Sequence, residues 1–185
     1  YSRRAIMNVI VHDNWLNPVY FNVLKEYILS TEFAWYKGEV VEDVGQVAPI
    51  KTQPIFEKRD QFFHAFINDK GENNSGGVAL IHKIGWFLNA KKIIRAKLNY
   101  GSKTNEPQLG GWHVDYDFKV NPNDSDYKIA ILYINTNNGY TLLENGQEIL
   151  SVENRVVMFD NSVLHTDCSQ TDIQGRIVLN IVYCE

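Results

Sequence analysis

Trp112-His113-Val114-Asp115-Tyr116-Asp117-Phe118, entered from Gly110-Gly111, is the stretch on which the reading of the fold turns. It alternates as a β-strand does, and on a strand side chains two residues apart share a face. His113 and Asp115 can then reach one ion, while Trp112 and Val114 point the other way to pack. A third ligand must arrive from another strand. His165 qualifies, since it follows the strand-like run Arg155-Val156-Val157-Met158-Phe159 and a turn at Asp160-Asn161. Two imidazoles and one carboxylate occupy one face of an octahedron and leave three positions open. A structural zinc site would close with four protein groups, usually including thiolates.

The next strand downstream is Gly175-Arg176-Ile177-Val178-Leu179-Asn180-Ile181-Val182-Tyr183. Arg176 lies 11 residues after His165, close enough to sit beside the metal on the neighbouring strand. Its planar fork matches a carboxylate in two parallel hydrogen bonds. A cation in an otherwise apolar run needs a partner once its face is buried. The plainer alternatives are an exposed strand histidine for His113, a loop histidine for His165 and an edge-strand surface charge for Arg176.

Strands and turns fill the chain from Lys92 onward. Lys92 to Tyr100 is β-branched and apolar, and Tyr127 to Asn135 reads as a strand. Asn145-Gly146 marks a two-residue hairpin turn between Thr141-Leu142-Leu143-Glu144 and Gln147-Glu148-Ile149-Leu150. Asn121 to Asp126 is a polar loop. About eight short strands result, which fits a double-stranded β-helix, a form of jelly roll. The first 91 residues read as mixed support. Asn17-Pro18 caps a helix with Val19, Val23, Leu24, Tyr27 and Ile28 at helical spacing, ending near Ser30. Phe33 to Val41 reads as a strand. Asp60 caps an expected second helix carrying Phe62, Phe63, Phe66 and Ile67, stopped by Gly71. Val78 to Asn89 is an expected third helix. The fold class is therefore mainly β (α+β): a jelly-roll core over 92–185, braced by helices from 1–91, in one domain spanning 1–185.

From these residues the chain resembles the Fe(II)/2-oxoglutarate-dependent oxygenases, and within them the prolyl 4-hydroxylase-like branch. The resemblance covers about residues 92 to 184. His113, Asp115 and His165 match the iron ligands, and Arg176 matches the basic residue that pairs with the distal carboxylate of 2-oxoglutarate. Ile131-Leu132-Tyr133-Ile134-Asn135 resembles the strand whose Tyr donates to that carboxylate. Lys97-Leu98-Asn99-Tyr100 resembles the first core strand, whose Tyr lies near the co-substrate, and Asn180 lies on the strand of Arg176. Some prolyl 4-hydroxylases carry Lys at the basic position, so Arg176 leaves the branch open. Asp115 disfavours the halogenating members, which replace that carboxylate. The resemblance implies Fe(II), 2-oxoglutarate and O2, with ascorbate as a candidate reductant. It implies hydroxylation of a C–H bond coupled to decarboxylation of 2-oxoglutarate to succinate. A prolyl residue in a peptide is the first substrate expectation; another protein residue or a small molecule are alternatives. Tyr100 and Tyr133 equally suit ordinary core aromatics. A cupin-like metalloenzyme that ignores 2-oxoglutarate, or a non-catalytic jelly-roll binding module, are the competing readings.

Composition narrows the partners. Hydrophobic residues make up 44% and aromatics 12% of 185 residues, suited to a packed core. A net charge of −4 offers no global attraction to nucleic acid or anionic membrane. No apolar run approaches the ~18 residues of a bilayer span. Tyr1-Ser2-Arg3-Arg4 leads into only a short apolar stretch, not a signal peptide. The two cysteines, Cys168 and Cys184, are too few for a disulfide framework and are expected as free thiols in a reducing cytoplasm. His12, His64 and His82 are expected to pack or lie on the surface. Nothing in the sequence sets the oligomeric state.

Overall fold

The computed structural model describes residues 8–38, 60–116 and 127–185. The loop expected at 121–126, the end of the strand expected at 33–41, and Asp117 and Phe118 lie outside them. The elements run β1 (Ile10–His12), α1 (Pro18–Leu29), β2 (Tyr36–Gly38), β3 (Gln61–Ile67), α2 (Val78–Phe87) and β4 (Lys92–Ser102). They continue β5 (Tyr127–Tyr133), β6 (Tyr140–Leu143), β7 (Glu148–Leu150), β8 (Val156–Asp160), β9 (His165–Cys168) and β10 (Gly175–Cys184). A seven-stranded antiparallel sheet is ordered β1-β8-β5-β10-β4-β3-β2, and a three-stranded one β7-β6-β9. The chain is mainly β with a jelly-roll core, as expected.

Three layers follow from strand alternation. On β10, Ile177, Leu179, Ile181 and Tyr183 face the helices and join Leu24, Ile28, Ile81 and Ile84 in one core. Val178 and Val182 face the other way and join Ile129, Ile131, Tyr133, Leu143 and Phe159 between the sheets. Helix α1 starts where Asn17 Oδ1 accepts from the Val19 N–H, with Pro18 at the first turn. Asn154 locks the approach to that helix. Its side chain accepts from the Leu16 N–H and donates to the Leu16 carbonyl, at 3.0 and 2.8 Å.

Two expectations are corrected. Residues 61–67 form a strand, not a helix. Phe62 and Phe66 point to the helix layer at a period of two, and a register shift after Ala65 turns Ile67 into the same core. The bulge mimics helical spacing in the sequence, and tertiary pairing with β4 overrides it. Trp112 to Tyr116 is not a ladder strand. Among the described residues it joins the small sheet at one isolated bridge, His113 to His165, preceded by another from Leu109 to Cys168. The Val78–Asn89 helix is present, ending at Phe87.

Candidate metal centre

His113, Asp115 and His165 come together despite the missing ladder. One ligand atom from each lies within 4.8 Å of the others. The His113–His165 bridge sets their backbones side by side, with reciprocal N–H to carbonyl bonds of 3.0 and 3.1 Å. Each ring is oriented by a carbonyl two residues back: His113 Nδ1 lies 2.8 Å from the Gly111 carbonyl, and His165 Nδ1 3.1 Å from the Val163 carbonyl. A carbonyl can only accept, so Nδ1 of each ring carries a proton and Nε2 is the nitrogen that faces a metal. Asn161, buried beneath the loop, accepts from the Tyr116 N–H and donates to the Tyr116 carbonyl, which fixes the backbone just after Asp115.

Asp115 is the best-held group in the site. Arg95 Nη2 donates to its Oδ1 at 3.0 Å, and Asn180 Nδ2 lies 2.9 Å from both oxygens. His165 Nε2 stands 3.2 Å from Oδ2. Two lone pairs that close need a proton or a metal ion between them. Donors about 2.1 Å from one ion and at right angles stand about 3.0 Å apart, so the spacing suits a metal. Burial opposes charge on Asp115, but His165, Arg95 and His113 outweigh it and hold the carboxyl well below the usual range. Burial also works against a charged His165; Asp115 overcomes this and raises its pKa. For His113, burial and then the neighbouring His165 lower it. The donor set therefore fits a divalent ion: one carboxylate kept ionised and two imidazoles oriented through Nδ1.

Arg176 lies on the same face of β10 as Asn180, buried between the sheets at 6% exposure. Its Nε donates to Ser151 Oγ (2.8 Å) and its Nη2 to Thr141 Oγ1 (3.1 Å). The guanidinium carbon is 5.5 Å from the centre of the Tyr133 ring, whose hydroxyl donates to the same Thr141 oxygen at 2.8 Å. Among the described residues no carboxylate pairs with Arg176. Arg176 and Tyr133 are thus brought together as expected. Tyr100 is not: it pairs with Ile177, on the opposite face, and packs on Trp35 and Phe62. The one-residue offset from the Arg176–Gly101 pair turns it into the helix-side core. Asn180 is brought to Asp115, not to Arg176.

Arg95 was missed by the sequence reading. It is a cation among the apolar residues of β4 and, like Arg176, needs a partner once its face is buried. Neither Cys168 nor Cys184 is in a disulfide among the described residues. His64 is a packing residue, ringed by Phe33 and Phe66 and bonded to the Ala34 carbonyl and Ser75 Oγ. Among the described residues no helix is long and apolar enough to cross a membrane.

No family model and no curated protein matches the sequence. Solved structures do match. An oxidoreductase of the 2OG-Fe(II) oxygenase family from Burkholderia pseudomallei aligns at TM-score 0.65 and 12% identity, over 95% of this chain and 84% of that one. A prolyl-4-hydroxylase from Pseudomonas putida aligns at TM-score 0.54 and 14% identity, over 97% and 93%. A prolyl hydroxylase from Trichoplax adhaerens, in complex with a hypoxia inducible factor peptide fragment, aligns at TM-score 0.58 and 9% identity, over 95% and 83%. With two histidines and an aspartate gathered between its sheets, the chain shares the fold of the 2OG-Fe(II) oxygenases, prolyl hydroxylases among them.

Proposed function

We propose that this protein is an Fe(II)- and 2-oxoglutarate-dependent oxygenase that hydroxylates a C–H bond, with a peptide residue, prolyl first, or a small molecule as substrate. The observation that carries the reading is a buried arginine without a carboxylate partner among the described residues, on the same strand face as the group that holds Asp115. His113, Asp115 and His165 would hold iron. Bound there, the ion supplies the dioxygen chemistry that couples decarboxylation of 2-oxoglutarate to succinate with hydroxylation. Arg176 would take the distal carboxylate. Four residues of strand separate Arg176 from Asn180, about 13 Å of backbone, which an arginine side chain and a five-carbon diacid span together. Thr141 Oγ1 already accepts from both Arg176 and Tyr133, so its own proton is free to point to a further acceptor. Tyr133 keeps its proton, because burial raises its pKa. Asn180 and Arg95 would keep Asp115 in place while ligands exchange on the open side. The likeness to a prolyl hydroxylase holding a peptide fragment supports a peptide substrate.

Anaerobic titration of the Fe(II)-loaded protein with 2-oxoglutarate tests the proposal. A saturable visible charge-transfer band is expected, lost in His113→Ala. Arg176→Met should weaken 2-oxoglutarate by about 2 kcal/mol or more, roughly 30-fold, because the variant leaves a buried carboxylate unpaired. Bound iron without a band would favour a cupin-like metalloenzyme. A protein that takes up no metal would be a binding module. Full affinity in Arg176→Met would remove that residue from the co-substrate site.

A further inference from the structure

The strand that supplies Arg95 carries a second cation on the same face. Lys97 stands opposite Asn180 in the β4–β10 register, and Arg95 opposite Val182. Directly opposed residues hold their Cβ atoms about 5 Å apart on one face of the sheet. Lys97 is therefore the immediate neighbour of the amide that grips the metal-site carboxylate. The three cations of this face have different partners. Arg95 is paired with Asp115 and Asp69. Arg176 is fixed by Ser151 and Thr141. Lys97 is half-buried and has no ion pair or hydrogen bond among the described residues; its Nζ lies 4.6 Å from the centre of the Phe63 ring.

That aromatic contact compensates little against the loss of water around an ammonium. Burial and the nearby Arg95 charge press the Lys97 pKa below the ordinary lysine value, with Asp69 and Asp115 opposing. Asn99 and Gly101 continue the same face, and a Cβ at Gly101 would meet no described atom within 4 Å. Lys97, Asn99 and Gly101 thus share one face of β4 beside the carboxylate-holding Asn180, with the Lys97 ammonium resting over the Phe63 ring.

We propose that the substrate is an organic acid or an acid-bearing peptide, whose carboxylate pairs with Lys97 while its adjoining carbon chain lies on Phe63. This rests on the oxygenase reading but is tested apart from it. The probes are N-acetyl amino acids, each as the free acid and as its methyl ester. They are titrated into protein loaded with Zn(II) and 2-oxoglutarate, with binding read by ligand-detected NMR. At least one acid should bind tenfold or more tightly than its ester. Lys97→Met, which keeps the apolar stem over Phe63, should erase that preference, and Lys97→Arg should retain it. Melting curves establish that the variants are folded. The proposal is overturned if acids and esters bind alike, if no acid binds, if Lys97→Met still prefers acids, or if excess 2-oxoglutarate displaces the acid. Absence of the charge-transfer band in wild-type protein would sink the oxygenase reading alone.

Discussion

At the residue scale, the centre is built on who donates to whom. Backbone carbonyls hold Nδ1 of both histidines, and Arg95 and Asn180 hold the carboxylate, so the only group that must change protonation on metal binding is His165. Its pKa is raised in the metal-free protein, whereas His113 is lowered and Asp115 stays ionised. A raised pKa means that the charged His165 stabilises the metal-free fold below its unfolded value of about 6.5, and that this contribution is lost as pH climbs through the folded value. Metal binding runs the other way, since the ion must displace that proton. Loading Zn(II) near pH 6.5 in weak buffer should release about one proton, and fewer as pH rises. Release of none, or of two, at pH 6.5 would show that the assignment to His165 is wrong.

Elements are set by which face each residue joins, and glycines show how tightly. A Cβ on Gly175 would stand 2.3 Å from the Tyr100 ring, whereas one on Gly101, which pairs with the adjacent Arg176 and faces the other layer, meets nothing described. Neither residue has a positive φ, so packing alone separates them. Gly175→Ala should destabilise by about 1–3 kcal/mol in urea titration, from overpacking. Gly101→Ala should stay within about 0.5 kcal/mol of wild type. Equal effects would contradict the assignment of Tyr100 to the helix side. The same face logic explains which elements were legible. The first helix was readable from its Asn-Pro start and 3.6-residue spacing, and the hairpin around Asn145-Gly146 from turn chemistry. The strand at 61–67 was not, because a bulge puts adjacent Phe66 and Ile67 into one core.

For the whole molecule, the candidate metal centre would act as a clasp between the small sheet and the loop that bridges onto it. His165 sits on β9, while His113 and Asp115 reach it through one isolated bridge. An ion held there would bind the folded chain and not the unfolded one. At 100 times its dissociation constant it should add about 2.7 kcal/mol to the unfolding free energy. The urea midpoint should rise with metal and return on chelation, with no rise in His165→Ala. A midpoint indifferent to metal would mean that no such clasp forms.

The sequence by itself determined the candidate His-Asp-His trio, the arginine on the last strand and the predominance of β-structure, because these depend on residue type and short-range periodicity. Only the tertiary structure decided which face Tyr100 takes, that Asn180 serves Asp115, and that Arg95 and Lys97 border the site. Those outcomes depend on register between strands far apart in the chain, and a slip of one residue sends every side chain to the opposite layer.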